Sequence, residues 1–278
     1  RKCKKIGTHI ILIIASVISV FPLYWMIAAA TNNSTDVLGG KLSIGTNFIQ
    51  NLTKLTSMQN VSRAFCNSLF YSTILSILSL LVCSIAGYGF EIYHDKAKDR
   101  LMNVLLLAMM VPFAATLIPL FKLFSGMHLA STWIAYVLPT ISTPFLIMLF
   151  RQSARSFPLE IIEAARIDGL SELKIFLTIF IPTMKSTYAA ALTVTFMNAW
   201  NNYLWPKVIM MSETSQTMPM LVANLSVGYS IDYGVLILSR PEFYSLYCRR
   251  ALQTELSVRL KAKYIDNLLT PKRIHCII

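Results

Sequence analysis

The chain has 278 residues, 55% of them hydrophobic and only 14% charged, with 25 Lys and Arg against 13 Asp and Glu. A soluble domain of this size carries about a quarter charged residues, so low charge with long apolar runs marks an integral membrane protein. The net charge of +12 does not signal nucleic-acid binding. The basic residues lie between apolar runs and form no stripe with aromatics; they fit the Lys and Arg excess that holds loops in the cytoplasm. Five cysteines (Cys3, Cys66, Cys83, Cys248, Cys276) and four histidines (His9, His94, His128, His275) are scattered. Neither a metal set, nor a disulfide framework, nor a cofactor is expected, and Cys83 reads as a small residue inside a span.

A helix needs about 20 apolar residues to cross the bilayer core. Five uncharged runs meet this, at 10–30, 67–90, 101–121, 129–150 and 186–206. The first follows Arg1, Lys2, Lys4 and Lys5. It is too long for a signal-peptide apolar region of about 7–15 residues and is read as an uncleaved span. The chain opens on Arg1 rather than Met, so a few residues are expected upstream. Lys96, Lys98 and Arg100 lie after the second run, and Arg151, Arg155, Arg166, Lys174 and Lys185 after the fourth. The alternate connections hold few basic residues, and 211–233 holds none. This asymmetry puts the N-terminus and the loops 91–100 and 151–185 in the cytoplasm. Pro112, Pro119, Pro139, Pro144, Gly87 and Gly89 predict bent helices around a path, tolerated where neighbours satisfy freed carbonyls. Segment 214–231 is uncharged but rich in Ser, Thr and amides; it reads as an external loop with a short amphipathic helix from Met220 to Leu225.

The expected fold is an all-α polytopic membrane helix bundle with five clear spans. A sixth begins at Val235-Leu236-Ile237-Leu238 but meets Arg240-Pro241-Glu242. Eight Lys and Arg, Arg240 included, lie from Arg240 to Arg273, and each charge at a helix centre costs about 2.5–3.5 kcal/mol on insertion scales. The domain is therefore set at 8–238, with 239–278 an atypical charged tail. This tail either is not the native continuation, as a shifted reading frame near residue 238 would produce, or folds back at the membrane surface; the first reading is favoured.

The loop 151–185 carries Glu163-Ala164-Ala165-Arg166-Ile167-Asp168-Gly169, followed by Ile179 and then Ile181-Pro182. Ser156-Phe157-Pro158 is read as opening a helix, with Ser156 near the cap and Pro158 in the first turn. Glu160 and Glu163 share one face near its N-terminus, where the dipole favours them. Ala164 and Ala165 keep the profile thin for another protein's surface. Gly169 suits a left-handed C′ position, and Ser171 caps a second helix running towards Pro182.

This spacing resembles the cytoplasmic signature of permease subunits of binding-protein-dependent ABC importers: EAA, three residues, G, nine residues, I, one residue, L-P, with Ile181 here in place of Leu. The Trp200-Asn201-Asn202-Tyr203-Leu204-Trp205-Pro206 and Met218-Pro219-Met220 stretches are similar to the carbohydrate branch, the maltose-type second permease. The family has six spans. The resemblance implies a cell (inner) membrane protein that works with a second permease subunit, an ABC ATPase dimer and an extracytoplasmic sugar-binding protein. It also implies that Glu163, Ala164, Ala165, Asp168, Gly169 and Pro182 form the ATPase-coupling loop. Asn198, Trp200, Asn201, Asn202 and Tyr203 are candidates for the substrate pathway, since amides hydrogen-bond hydroxyls and aromatics stack on sugar rings; an interfacial belt with polar helix packing gives the same composition.

Two other readings remain at this point: an ion-coupled secondary transporter and a non-functional truncated permease. The first usually needs intramembrane acids, and the five runs hold none. An enzyme is not expected, because no HExxH, nucleophile elbow or acid cluster occurs. Gly39-Gly40-Lys41 is followed by Leu42, with Thr35 where a P-loop has Gly, so any ATP belongs to a partner.

Overall fold

The computed structural model describes residues 2–226 and 231–239, with side chains from His9 onward. Among these residues there is no strand, and the chain is an all-α polytopic membrane bundle. The expected tail lies outside the described residues, apart from Ser239. The chain divides into two compact units, residues 1–55 with 228–278, and residues 56–227.

In the first unit α1 (Lys2–Ala30) is followed by α2 (Ser34–Leu38) and α3 (Phe48–Met58), and a short helix, Tyr233–Ser239, returns to them. His9–Ala30 is apolar enough to cross a membrane and exposes Ile11, Val17 and Ile18. Where α1 ends, amides take over its open carbonyls. Asn32 Nδ2 donates to Ala28 O at 2.8 Å and to Ser43 O at 2.7 Å. Asn51 Nδ2 donates to Ala30 O and Asn32 O, each at 2.9 Å.

The second unit is organised by α4 (Val61–Ile92). At ~1.5 Å per residue its 32 residues extend about 48 Å, beyond the ~30 Å hydrocarbon core. One face is small: Ser68, Ser72, Ser76, Ser79, Cys83 and Gly87 are all buried, as close helix packing in a membrane requires. Cys83 is fully buried, as the sequence suggests. Three apolar clusters succeed one another along α4, around Tyr71 and Leu75, then Leu80 and Cys83, then Tyr88.

The remaining runs form bent pairs rather than straight rods. α5 (Lys96–Ala108) meets α6 (Phe113–Gly126) at 98°. α7 (Trp133–Val137) runs through a 3₁₀ turn and meets α8 (Pro144–Arg155) at 54°. The loop that follows holds α9 (Leu159–Ile167), α10 (Glu172–Ile175), a π turn (Phe176–Phe180) and α11 (Ile181–Thr183); the segment 172–183 meets α12 (Lys185–Trp200) at 81°. Then come α13 (Leu204–Ile209), α14 (Met218–Leu225) and, back in the first unit, α15 (Tyr233–Ser239). With each bent pair counted as one, the described residues hold up to five segments long and apolar enough to cross a membrane. The helix expected at Met220 to Leu225 is α14, beginning two residues earlier.

Loops that the charge pattern assigns to one side meet in space. Arg151 bridges Glu91 at 3.1 Å and Asp99 at 2.6 Å, and Lys98 binds Asp95 at the start of α5. At the other end of α4, Arg63 Nε donates to Thr214 O at 3.0 Å and Met218 N donates to Ser68 Oγ at 2.8 Å.

Candidate functional site: the 158–182 loop and a neutral cavity

α9 begins differently from the sequence reading. Ser156 does not open it; Ser156 ends α8, and its Oγ donates to Ser153 O at 2.7 Å. Pro158 is the N-cap of α9 rather than a first-turn residue, with an extended ψ of 115°. A proline fixes φ near the helical value but carries no side-chain acceptor, so this N-terminus has no side-chain cap. Glu160 in the first turn and Arg166 in the last complement the helix dipole.

The end of α9 is as expected. Gly169 has φ +79°, its N–H donates to Arg166 O at 3.0 Å, and Leu170 N donates to Ala165 O at 3.1 Å. This is the paired bonding of a Schellman motif, and Leu170 packs on the cluster that holds Ile162 and Ala165. Asp168 is the C-cap and is exposed. Glu163 and Ala164 are exposed, whereas Ala165 is 5% exposed and faces the chain's own core. Only Ala164 of the alanine pair therefore thins the outer surface.

Ser171 is the N-cap of α10, but its hydroxyl makes no capping bond. The π turn precedes Pro182, whose ring cannot continue an α ladder; Ile181 N reaches back to Phe176 O, and Thr183 Oγ1 donates to Ile179 O at 2.7 Å. Arg166 Nε pairs with Glu172 Oε1 at 2.6 Å. The Arg166 hydrogen bond holds the Glu172 carboxyl below its ordinary range. With Arg166 so engaged, Glu160, Glu163 and Asp168 leave an acidic outer face on α9 and its C-cap; among the described residues none of the three has an ion pair.

The second candidate region is a cavity of about 460 Å³. Its polar lining comes from Thr140, Thr143, Thr195, Asn198 and Asn202, set among Leu75, Met109, Phe145 and Val194. The break between α7 and α8 supplies the first two threonines, and the end of α12 and the turn after it supply the rest. No charged side chain lines it. Thr195 is 9% exposed, and among the described residues its Oγ1 has no hydrogen-bond partner. A buried hydroxyl left unpaired costs about 1–3 kcal/mol.

Of the five pathway candidates, Asn198 and Asn202 come together here. Trp200 does not: it is 7% exposed and packs on Phe65 and Phe196. Asn201 and Tyr203 are exposed and do not line the cavity. Burial of the indole between rings explains the departure, since a packing aromatic and a stacking aromatic have the same composition signature. The sequence reading missed Thr140, Thr143 and Thr195. Thr195, three residues before Asn198, shares its helix face and was findable; the other two come from a break about 55 residues away.

The description "Binding-protein-dependent transport system inner membrane component" matches residues 92–238. The chain belongs to this family. The permease is 40% identical to the lactose transport system permease protein of Rhizobium radiobacter, with 86% of this chain and 87% of that protein covered. It is 33% identical to an arabinooligosaccharides transport system permease protein of Halalkalibacterium halodurans, over 79% and 81% of the two chains. A sn-glycerol-3-phosphate transport system permease protein of Yersinia pestis is 27% identical, over 75% and 77%. Among solved structures, a chain of a bacterial ABC transporter involved in the import of the acidic polysaccharide alginate superposes with a TM-score of 0.76 at 16% identity, covering 93% of the permease and 96% of that chain; this likeness shows the fold. The permease is accordingly a multi-pass inner-membrane protein of a transport system.

Proposed function

We propose that the permease is the transmembrane subunit of an ATP-driven sugar importer, forms half of the translocation pathway with a second permease subunit, and couples through its 158–182 loop to an ABC ATPase dimer. Its N-terminus is cytoplasmic, and an extracytoplasmic sugar-binding protein delivers the substrate. ATP is hydrolysed by the ATPase, whose closure displaces α9 and rocks the spans between inward-open and outward-open states. The observation that carries this reading is α9 itself. It is a short helix with Glu160, Glu163, Ala164 and Asp168 outward, Ile162 and Ala165 inward, and a left-handed turn at Gly169 fixing its end. Glu163 and Asp168 meet basic or polar groups of the ATPase, and Gly169 sets the helix angle.

The names of two relatives, lactose and arabinooligosaccharide permeases, support a sugar as substrate. The cavity supports a neutral one. Amides and hydroxyls on apolar walls suit hydroxyl groups and ring faces, and a phosphate or carboxylate there would lie without a cation.

Co-expression with the paired permease and ATPase, followed by detergent extraction, tests the assignment. The ATPase is expected to co-purify, and retention is expected to fall with Glu163→Ala or Gly169→Pro. In proteoliposomes with the binding protein, a neutral oligosaccharide is expected to stimulate hydrolysis and glycerol 3-phosphate is not. Asn198→Ala is expected to raise the half-saturating sugar concentration about 3–10-fold, the loss of one net hydrogen bond of roughly 1 kcal/mol. Stimulation by the phosphate ester alone would overturn the neutral substrate. Uptake driven by a proton or sodium gradient without any ATPase would overturn the importer.

A further inference from the structure

The Gly169 turn ends α9 and redirects the chain into α10, while Ile162 and Ala165 hold α9 on the apolar cluster that contains Tyr88 of α4. Arg166 and Glu172, on either side of Gly169, close the turn at 2.6 Å. The same two side chains also reach α4. The Arg166 guanidinium lies 5.7 Å from the centroid of the Tyr93 ring, and Tyr93 is the C-cap of α4. The Tyr88 hydroxyl, one turn earlier, donates to Glu172 Oε2 at 3.4 Å. Both carboxylate oxygens of Glu172 are thus engaged, one within the loop and one by the long helix. Tyr88 is 5% exposed and set edge-on to Phe176 at 5.3 Å and to Phe180 at 4.9 Å.

We infer that Arg166 and Glu172 are positioning residues: a staple across the Gly169 turn that fixes the loop to α4 and makes displacement of α9 move that helix. An isolated surface ion pair contributes about 0–1 kcal/mol and is a weak mechanical link. This one differs because the guanidinium both pairs with Glu172 and lies over the Tyr93 ring and because the anchoring tyrosine is buried in the apolar cluster under the loop. It also divides the labour on α9. Glu160, Glu163 and Asp168 face outward, whereas Arg166 turns back to its own chain.

The inference rests on the proposed ATPase coupling for its consequence, though not for its geometry, so two measurements test it. In the assembled importer, Arg166→Ala and Glu172→Gln are expected to keep the ATPase bound and hydrolysis within about twofold, while sugar transported per ATP falls at least fivefold. The double variant is expected to be no worse than either single one, because the pair acts as a unit. Arg166→Lys, which keeps the charge but loses the planar guanidinium, is expected to recover only part of the loss. Unchanged transport per ATP in both single variants, with a coupled wild type, would overturn the staple. So would loss of the ATPase from Arg166→Ala, which would assign Arg166 to docking. The second measurement uses the full chain alone in nanodiscs. Glu172→Gln is expected to speed amide exchange at Asp168, Gly169 and Leu170 at least threefold. Unchanged exchange overturns the inference even if the wild type retains no ATPase, the result that would defeat the functional reading itself.

Discussion

Gly169 holds φ +79°, and a Cβ built there would meet nothing within 4 Å. Space is therefore no obstacle to a side chain; the backbone conformation is. An L-residue in the left-handed region costs about 1–2 kcal/mol, and proline adds a second fault by removing the N–H that donates to Arg166 O. Under the proposed coupling role of the loop, loss of coupling is thus expected to follow conformational preference rather than bulk. Gly169→Asn is expected to be milder than Gly169→Ala, and Gly169→Pro the most severe, read as sugar transported per ATP in the assembled importer. A large effect of Asn equal to that of Pro would contradict this ranking. Gly87 works by the opposite logic. A Cβ there would lie 2.6 Å from Phe150 Cβ and 2.8 Å from Arg151 N, so its smallness lets α4 and α8 approach. The two glycines are alike in a one-dimensional reading. Gly169 was legible because its demand is local, at the end of a helix with EAA spacing. The demand on Gly87 arises between residues about 60 apart in the chain, which no local pattern encodes.

At the scale of elements, an apolar run records what the chain is made of and not where it points. All five runs were legible as membrane segments, and proline announced bending, but not which proline would break a helix. Pro119 sits inside α6, whereas Pro112, at ψ 131°, caps it after the turn that ends α5. Thr143 is extended before Pro144, as the residue before a proline prefers. Whether such a break is tolerated depends on what fills it, and here Trp205 is central. It is fully buried, its indole N–H donates to Ala135 O at 3.0 Å, and its ring is edge-on to Phe113 and Phe124. One side chain thereby ties α13 to α7 and α6. Trp205→Phe keeps most of the packing but leaves the Ala135 carbonyl unpaired, a loss of about 1–3 kcal/mol. Trp205→Ala adds a cavity, for about 3–5 kcal/mol. Thermal unfolding of the purified chain in detergent is expected to rank wild type, Phe and Ala in that order. An Ala variant as stable as the Phe variant would show that the pocket collapses around the missing ring.

At the scale of the whole molecule, chain ends far apart in sequence are joined in one unit. Asn32, at the end of α1, and Asn51 of α3 leave room for a glycine alone at 234, where a Cβ would lie 2.6 Å from Asn32 O and 2.7 Å from Asn51 Nδ2. Next to it, Asp232 Oδ1 accepts from Ser34 Oγ at 2.7 Å, and Asp232 Oδ2 pairs with Lys54 Nζ at 3.1 Å. The sequence showed an apolar start at Val235 but not this seat, because Ser34, Lys54 and Asp232 are ordinary polar residues until the fold brings them together. Burial raises the Asp232 carboxyl, but the Ser34 hydroxyl and the Lys54 ammonium outweigh it and hold the group below its ordinary value. A carboxylate depressed in the folded state stabilises above its unfolded pKa of about 3.9 and loses that contribution as pH falls through the lower folded value. The seat of α15 is therefore expected to be insensitive to pH from 8 to 5 and to weaken only below about pH 4. Asp232→Asn is expected to lower the unfolding temperature of the detergent-purified chain at pH 7. The gap between variant and wild type is expected to narrow as the wild type is acidified below pH 4. A gap that stays constant across that range would mean that Asp232 acts through shape and hydrogen bonding rather than through its charge.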